Sequence, residues 1–130
     1  MEFIESRLTG VRIDKTGREA SLSITQRNGS ELTLNLHGVE KLLINELRQQ
    51  NIIEEVTHWT NEIPKNKLRE AASYLVTGGI CKDEGSELMI AVDQLVHKVV
   101  NGEIEMLEIT AIFGAQILAS FASITIKSSN

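Results

Sequence analysis

The stretch "SITQRNGSELTLNL", Ser23 to Leu36, decides how the first third of the chain folds. Side chains alternate between the two faces of a strand, so Leu22 and Ile24 point one way, and so do Leu32, Leu34 and Leu36. A two-residue turn at Asn28-Gly29 would pair Ile24 with Thr33 and Leu22 with Asn35, placing polar groups on the buried face. A three-residue loop, Arg27-Asn28-Gly29, pairs Ile24 with Leu32 and Leu22 with Leu34. A type I turn with glycine in the left-handed bulge position suits that loop. A one-residue slip inverts every side chain, so burial selects the second register. The expectation is a hairpin of residues 19–26 and 30–37 with a bulged loop.

The pattern extends outward in both directions. Leu8, Val11 and Ile13 lead into the polar "DKTGRE", residues 14–19, where a four-residue loop 15–18 allows Val11 or Ile13 to pair with Leu22. The first 37 residues therefore read as a three-stranded antiparallel meander. Downstream, Val39 to Ile44 is expected to be a fourth strand and Glu46 to Gln50 a short helical turn, with Asn51 capping or breaking it. Residues 52–59 read as a strand whose large apolar positions, Ile53, Val56 and Trp59, depart from strict alternation. A side-by-side pair in a regular strand points to opposite faces, which would separate Glu54 from Glu55.

Pro64 is expected to end the strand region, and the period then changes. Leu68, Ala71, Ala72, Leu75 and Val76 recur at helical spacing, with Asn66 as N-cap and Gly78 beyond the C-terminus. Ser86 is placed to cap a second helix running to about Val100, its apolar stripe being Leu88, Ala91, Val92, Leu95, Val96 and Val99. Asn101-Gly102 is its stop. In the C-terminal piece, Leu107, Ile109, Ala111 and Phe113 share a face, Gly114 marks a bend, and residues 115–126 read as one strand covered on both sides. The fold class expected is α+β: a mostly antiparallel sheet, built from an N-terminal meander and a C-terminal hairpin, with two central helices packed on it.

At 130 residues the chain is expected to be a single domain, 1–130, large enough to bury a core without a metal or disulfide staple. Aromatics make up only 4%, so that core must be aliphatic. A lone cysteine, Cys81, rules out an internal disulfide framework. The opening "MEFIESRLTG" lacks the basic-then-apolar pattern of a secretory signal, and the apolar runs are too short to span a bilayer. The expected location is a reducing cytoplasm.

Catalytic patterns are weak. His37, His58 and His97 lie in no metal-ligand spacing, and no cofactor is expected. Lys82 beside Cys81 could favour a thiolate, but no histidine or oxyanion device is signalled nearby. No nucleophile elbow or phosphate loop is present. Glu103 and Glu105 share a strand face at its entrance, where solvation is the ordinary reading.

Charge is segregated. Residues 31–63 carry six carboxylates against Lys41 and Arg48, and residues 83–108 carry seven against Lys98, whereas residues 64–82 are net basic. Such acidic tracts repel phosphate backbones, so direct nucleic-acid binding is not expected; they attract basic proteins. The candidate partner-binding surface is Glu54, Glu55 and Trp59 in one tract and Asp83, Glu84 and Glu87 in the other. The competing reading is a solvated face or, for Trp59, a core ring.

The run "LTGVRID…SLSIT…NGSELTLNLHGVEKLLINELRQQNIIEEV", residues 8–56, resembles the opening of small β-rich bacterial domains, and "GEIEMLEITAIFGAQILASFASITI", residues 102–126, resembles their closing hairpin. Domains of this look occur among immunity proteins of polymorphic toxin systems, including contact-dependent growth inhibition. The resemblance implies a non-catalytic protein that binds and neutralises a cognate toxin domain, often a nuclease with a basic cleft. Two other readings remain: a small enzyme or ligand-binding domain with a pocket between helices and sheet, and a structural homo-oligomer that pairs strand edges.

Overall fold

The computed structural model describes residues 5–62, 67–79 and 85–129. Its elements are β1 (Arg7–Ile13), β2 (Glu19–Thr25), β3 (Glu31–His37), β4 (Lys41–Asn45), β5 (Ile52–Trp59), α1 (Leu68–Thr77), α2 (Glu87–Val100), β6 (Glu105–Phe113), β7 (Gln116–Phe121) and β8 (Ser123–Ser129). The strands pair antiparallel in one sheet, in the order β4-β7-β6-β5-β1-β2-β3-β8. The class is α+β. Pro64, Asn66, Cys81, Asp83 and Glu84 lie outside the described residues.

The N-terminal meander has the register that parity demands. Leu22 faces Leu34 and Ile24 faces Leu32 across β2–β3. Gln26 and Ser30 close the loop, the Gln26 N–H donating to the Ser30 carbonyl at 2.9 Å, and Gly29 takes φ +86°. Val11 faces Leu22, and Asp14 pairs with Glu19 across the four-residue loop 15–18. Asp14 organises that loop: its carboxylate accepts from the Thr16 hydroxyl at 2.8 Å and from the Glu19 N–H at 3.3 Å. The Thr16 hydrogen bond is the main reason its carboxyl is held below the ordinary value.

The sheet's two nominal ends are joined by short lengths of chain. Only residues 38–40 separate β3 from β4, and only Ala122 separates β7 from β8. Pairing between these two lengths persists across the bend, where Ala122 N–H donates to the His37 carbonyl at 2.8 Å and Glu40 N–H to the Ser120 carbonyl at 2.9 Å. Residues 31–45 and 116–129 are therefore one bent two-stranded ribbon. Following the pairings from β1 through β2, both strands of the ribbon, β6 and β5 returns to β1, so the sheet closes into a barrel. The bend needs Gly38: it has φ +65°, and a Cβ there would sit 2.9 Å from the Ala122 Cβ.

Two apolar clusters follow from this closure. The barrel interior holds Leu8, Leu22, Ile24, Leu34, Leu36, Ile53, Val56, Leu107, Ile109, Ile117 and Phe121, among others. Each such side chain contributes roughly 1.5–3 kcal/mol by leaving water. A second cluster lies outside the barrel wall, where Leu68, Ala72, Leu75, Val92, Leu95 and Val99 of the helices cover Trp59, Met106 and Leu118. The helices end as their sequence suggests. The Ser86 side chain accepts the Met89 N–H at 3.1 Å, Gly78 closes α1 in the left-handed conformation, and Asn101 closes α2. Within the described residues the position capping α1 is Lys67, at φ +60° and with no side-chain cap.

Several expectations are corrected. Residues 46–50 form no helical turn; Glu46 adopts φ +57°, and the Asn51 side chain shapes the segment into a bend. Asn51 Oδ1 accepts from the Arg48 and Ala115 N–H groups, and its Nδ2 donates to the Arg48 carbonyl at 2.8 Å. The fourth strand is Lys41–Asn45, since Val39 belongs to the ribbon's bend. The stretch 115–126 forms the expected antiparallel hairpin with β6, but it is not one strand covered on both sides: it breaks at Ala122, and only its β7 half is covered on both faces. Of the α2 stripe, Leu88 is 52% exposed, because the sheet meets only the Val92–Leu95–Val99 side. Ala111 faces Ile53, but Ile112 is an extra residue in β6, so the alternation expected to carry the Leu107–Ile109 face on to Phe113 breaks there, and Phe113 is 50% exposed.

Candidate partner-binding surface

The surface grows from an irregularity in β5. Ile53 faces Ala111 while Glu55 faces Thr110, so Glu54 is an extra residue in the ladder, a β-bulge. The bulge explains the odd spacing of Ile53 and Val56: both point into the barrel, with two residues between them instead of one. It also overturns the expected separation of Glu54 and Glu55. Glu55 lies directly opposite Thr110, and the Thr110 hydroxyl donates to Glu54 Oε1 at 3.5 Å and to the Glu55 carbonyl at 3.4 Å. Both carboxylates therefore stand exposed on the outward face of β5–β6.

Glu108 shares that face, two residues before Thr110 in β6. It accepts from Gln116 Nε2 at 3.1 Å and lines a cleft of about 320 Å³ with Lys67, Glu70, Ala71, Tyr74 and Gln116. Burial pushes the Glu108 carboxyl above its ordinary value of 4.5; the Gln116 donor offsets part of this, and the negative charges of Glu70 and Glu55 add to it. Glu70 and Glu108 thus line the cleft with the single positive charge of Lys67, and Glu54 and Glu55 stand on the same outward face of β5–β6.

Of the residues singled out in the sequence, Glu54 and Glu55 are on this face. Trp59 is a correction: it is 1% exposed, packed between the barrel wall and the helices, and offers no surface. The bulge sets its direction, because β5 has a single outward row after Val56 on which the helices rest. Glu87 is exposed in the first turn of α2, where a carboxylate complements the helix's positive end, and it belongs to a different element from the β5–β6 face. Glu70 and Glu108 were not singled out. The available signal was Glu108 itself, a carboxylate between the apolar pair Met106-Leu107 and Ile109 in "EMLEITAIF".

The histidines do not converge. His37 Nδ1 lies 2.8 Å from Glu19 Oε1 and its Nε2 lies 2.9 Å from the Thr125 hydroxyl. His58 Nε2 lies 2.6 Å from Glu105 Oε1, with its ring stacked on Phe121. His97 sits on α2 beside Asn101. Among the described residues, no three His, Cys, Asp or Glu side chains are grouped as metal ligands, and no helix is long and apolar enough to cross a membrane. Compared with known protein families and with characterised proteins, the chain matches no family model and no curated protein.

Proposed function

We propose that this chain is a non-catalytic immunity protein that binds and neutralises a basic toxin domain, of nuclease type, in the cytoplasm. The observation that carries the reading is the β5 bulge, which turns Glu54 and Glu55 to one side and adds them to Glu70 and Glu108. Exposed like charges on one face repel each other, and a cationic partner relieves that repulsion while steering its own approach. The barrel and its covering helices hold the carboxylates on strands and a helix start, so little ordering is required on binding.

The test is co-expression with the product of the adjacent upstream coding sequence. A basic C-terminal domain from that product is expected to copurify with the wild-type chain. Glu54→Lys with Glu55→Lys is expected to weaken the complex about tenfold or more and to reduce its salt dependence. A neighbour that fails to copurify, or a complex unaffected by the double reversal, would count against the proposal.

One observation favours a second reading, a small-ligand pocket. The 320 Å³ cleft lies between α1 and the sheet and contains a carboxyl that burial biases toward its protonated form. Under that reading Glu108→Gln abolishes binding of a small ligand, whereas the Glu54/Glu55 reversals leave it unchanged.

A further inference from the structure

β5 and the segment before it should, by the logic of the ladder, continue alongside β1. Arg7 faces Ile52, and the Leu8 N–H donates to the Asn51 carbonyl at 2.9 Å. Carried on in antiparallel register, residues 50 to 46 would lie opposite residues 9 to 13. They do not, because Glu46 in the left-handed conformation and the Asn51 side-chain bonds curl the segment away. What remains is a cleft of about 300 Å³, walled on one side by residues 7–11 of β1 and on the other by residues 47–51.

Beyond Leu8, the β1 wall is a free strand edge among the described residues. Asp14 and Glu19 form a hydrogen-bonded pair with β2, so by alternation the N–H and C=O groups of Val11 and Ile13 point away from β2. Among the described residues, the only ladder partner of β1 on that side is Ile52, opposite Arg7. An unpaired edge of this kind accepts another strand.

The electrostatics of the cleft oppose those of the molecule. Its lining includes Arg7 and Arg48 and no carboxylate, in a chain of net charge −5. Arg48 is held in place from both ends: its N–H donates to Asn51, and its guanidinium lies over the Phe113 ring, 5.2 Å from the centroid. Leu47, 58% exposed, lines the same wall and supplies an apolar contact.

We propose that this cleft binds an extended acidic peptide segment of a partner protein. The segment adds a strand to β1 where residues 46–50 leave the ladder, and its carboxylate side chains pair with Arg7 and Arg48. The charge of the cleft selects the acidic segment, and the free edge selects its extended backbone.

The test uses a fluorescein-labelled, end-blocked peptide of alternating valine and glutamate, titrated with the full chain and followed by fluorescence anisotropy. Saturable binding that weakens with added salt is expected, and the matching valine-lysine peptide is expected not to bind. Arg7→Glu with Arg48→Glu, both on exposed side chains, should lower the affinity about tenfold or more and leave the circular dichroism spectrum unchanged. N-methylation of alternate amides should abolish binding in one of its two frames. The proposal is overturned by equal binding of the lysine peptide, by unchanged affinity in the double variant, by binding retained in both methylated frames, or by no binding at all. Light scattering that reveals a dimer lost in Arg7→Glu would also overturn it, by making the occupant a second copy of this chain.

Discussion

Residues 116–121 and 123–129 are one extended length of chain bent at Ala122, yet their surroundings are opposite. β7 lies between β4 and β6, faces the barrel interior through Ile117, Ala119 and Phe121, and is covered on its other face by the helix layer over Leu118. β8 has one strand neighbour, β3, and Ile126 is 47% exposed. Both halves carry alternating apolar residues, so alternation alone does not distinguish them. The difference is coverage: the barrel curls past β8 and the helices rest on β7. A strand's period tells which side chains share a face, and the neighbours of that face decide whether it is dry.

The strongest way to break the comparison is to truncate matched apolar residues in the two halves. Phe121→Ala is expected to cost about 3–5 kcal/mol in urea unfolding, since it empties a fully enclosed site. Ile126→Ala in β8 is expected to stay within about 1 kcal/mol by the same measurement. Equal losses would mean that β8 is covered in solution.

The bend between the halves is the next target. Gly38→Ala forces a non-glycine residue to φ +65° and drives its Cβ onto Ala122. A loss of about 1–3 kcal/mol is expected, and Gly38→Ala combined with Ala122→Gly should recover part of it by relieving the contact while keeping the backbone strain. Asn51→Ala removes three hydrogen bonds from a buried side chain at the other end of β7 and should cost a similar amount, about 1–3 kcal/mol.

The smallest effects are expected in the pH dependence of two carboxylates, one on each side of the comparison. Glu108, beside β7, has a folded pKa above its ordinary 4.5, so its contribution to stability is present below that value and is lost as pH rises through the folded pKa. Glu108→Gln, which keeps an acceptor for Gln116, should therefore gain stability relative to wild type as pH rises toward neutral and show no gain in acid. Glu19 supports the ribbon near β8. His37 first and then the Gly38 N–H hold its carboxyl below the ordinary value, so its contribution is present above 4.5 and is lost as pH falls through the folded pKa. Glu19→Gln should lose stability at neutral pH and converge on wild type in acid. Thermal melts across pH that fail to cross in this way would refute the assignment.

What could be read in advance was local. The pairs Leu22–Leu34 and Ile24–Leu32 were legible because a period of two, a short loop and one buried face leave a single acceptable register, whereas parity left Val11 or Ile13 opposite Leu22 and the structure pairs Val11. Both helices were legible from their 3.6 spacing, with Ser86 and Gly78 as end signals. The acidic surface was half legible: Glu54 and Glu55 stood out by charge, but their shared face depends on a bulge that appears in the sequence only as the odd spacing of Ile53 and Val56. Glu70 and Glu108 were hidden because α1 and β6 are distant in sequence. Residues 46–50 misled for a related reason, since the Asn51 contacts that bend them include the Ala115 N–H, 64 residues away.

The sequence by itself determined the two helices, the strands of the first meander and the β2–β3 register, because those depend on neighbours a few residues apart. Only the tertiary structure decided that the sheet closes on itself, that Trp59 is enclosed while Ile126 is not, and that an acidic face and a basic cleft lie on the same barrel. Those outcomes depend on backbone hydrogen bonds and coverage between distant segments, and no local period encodes them.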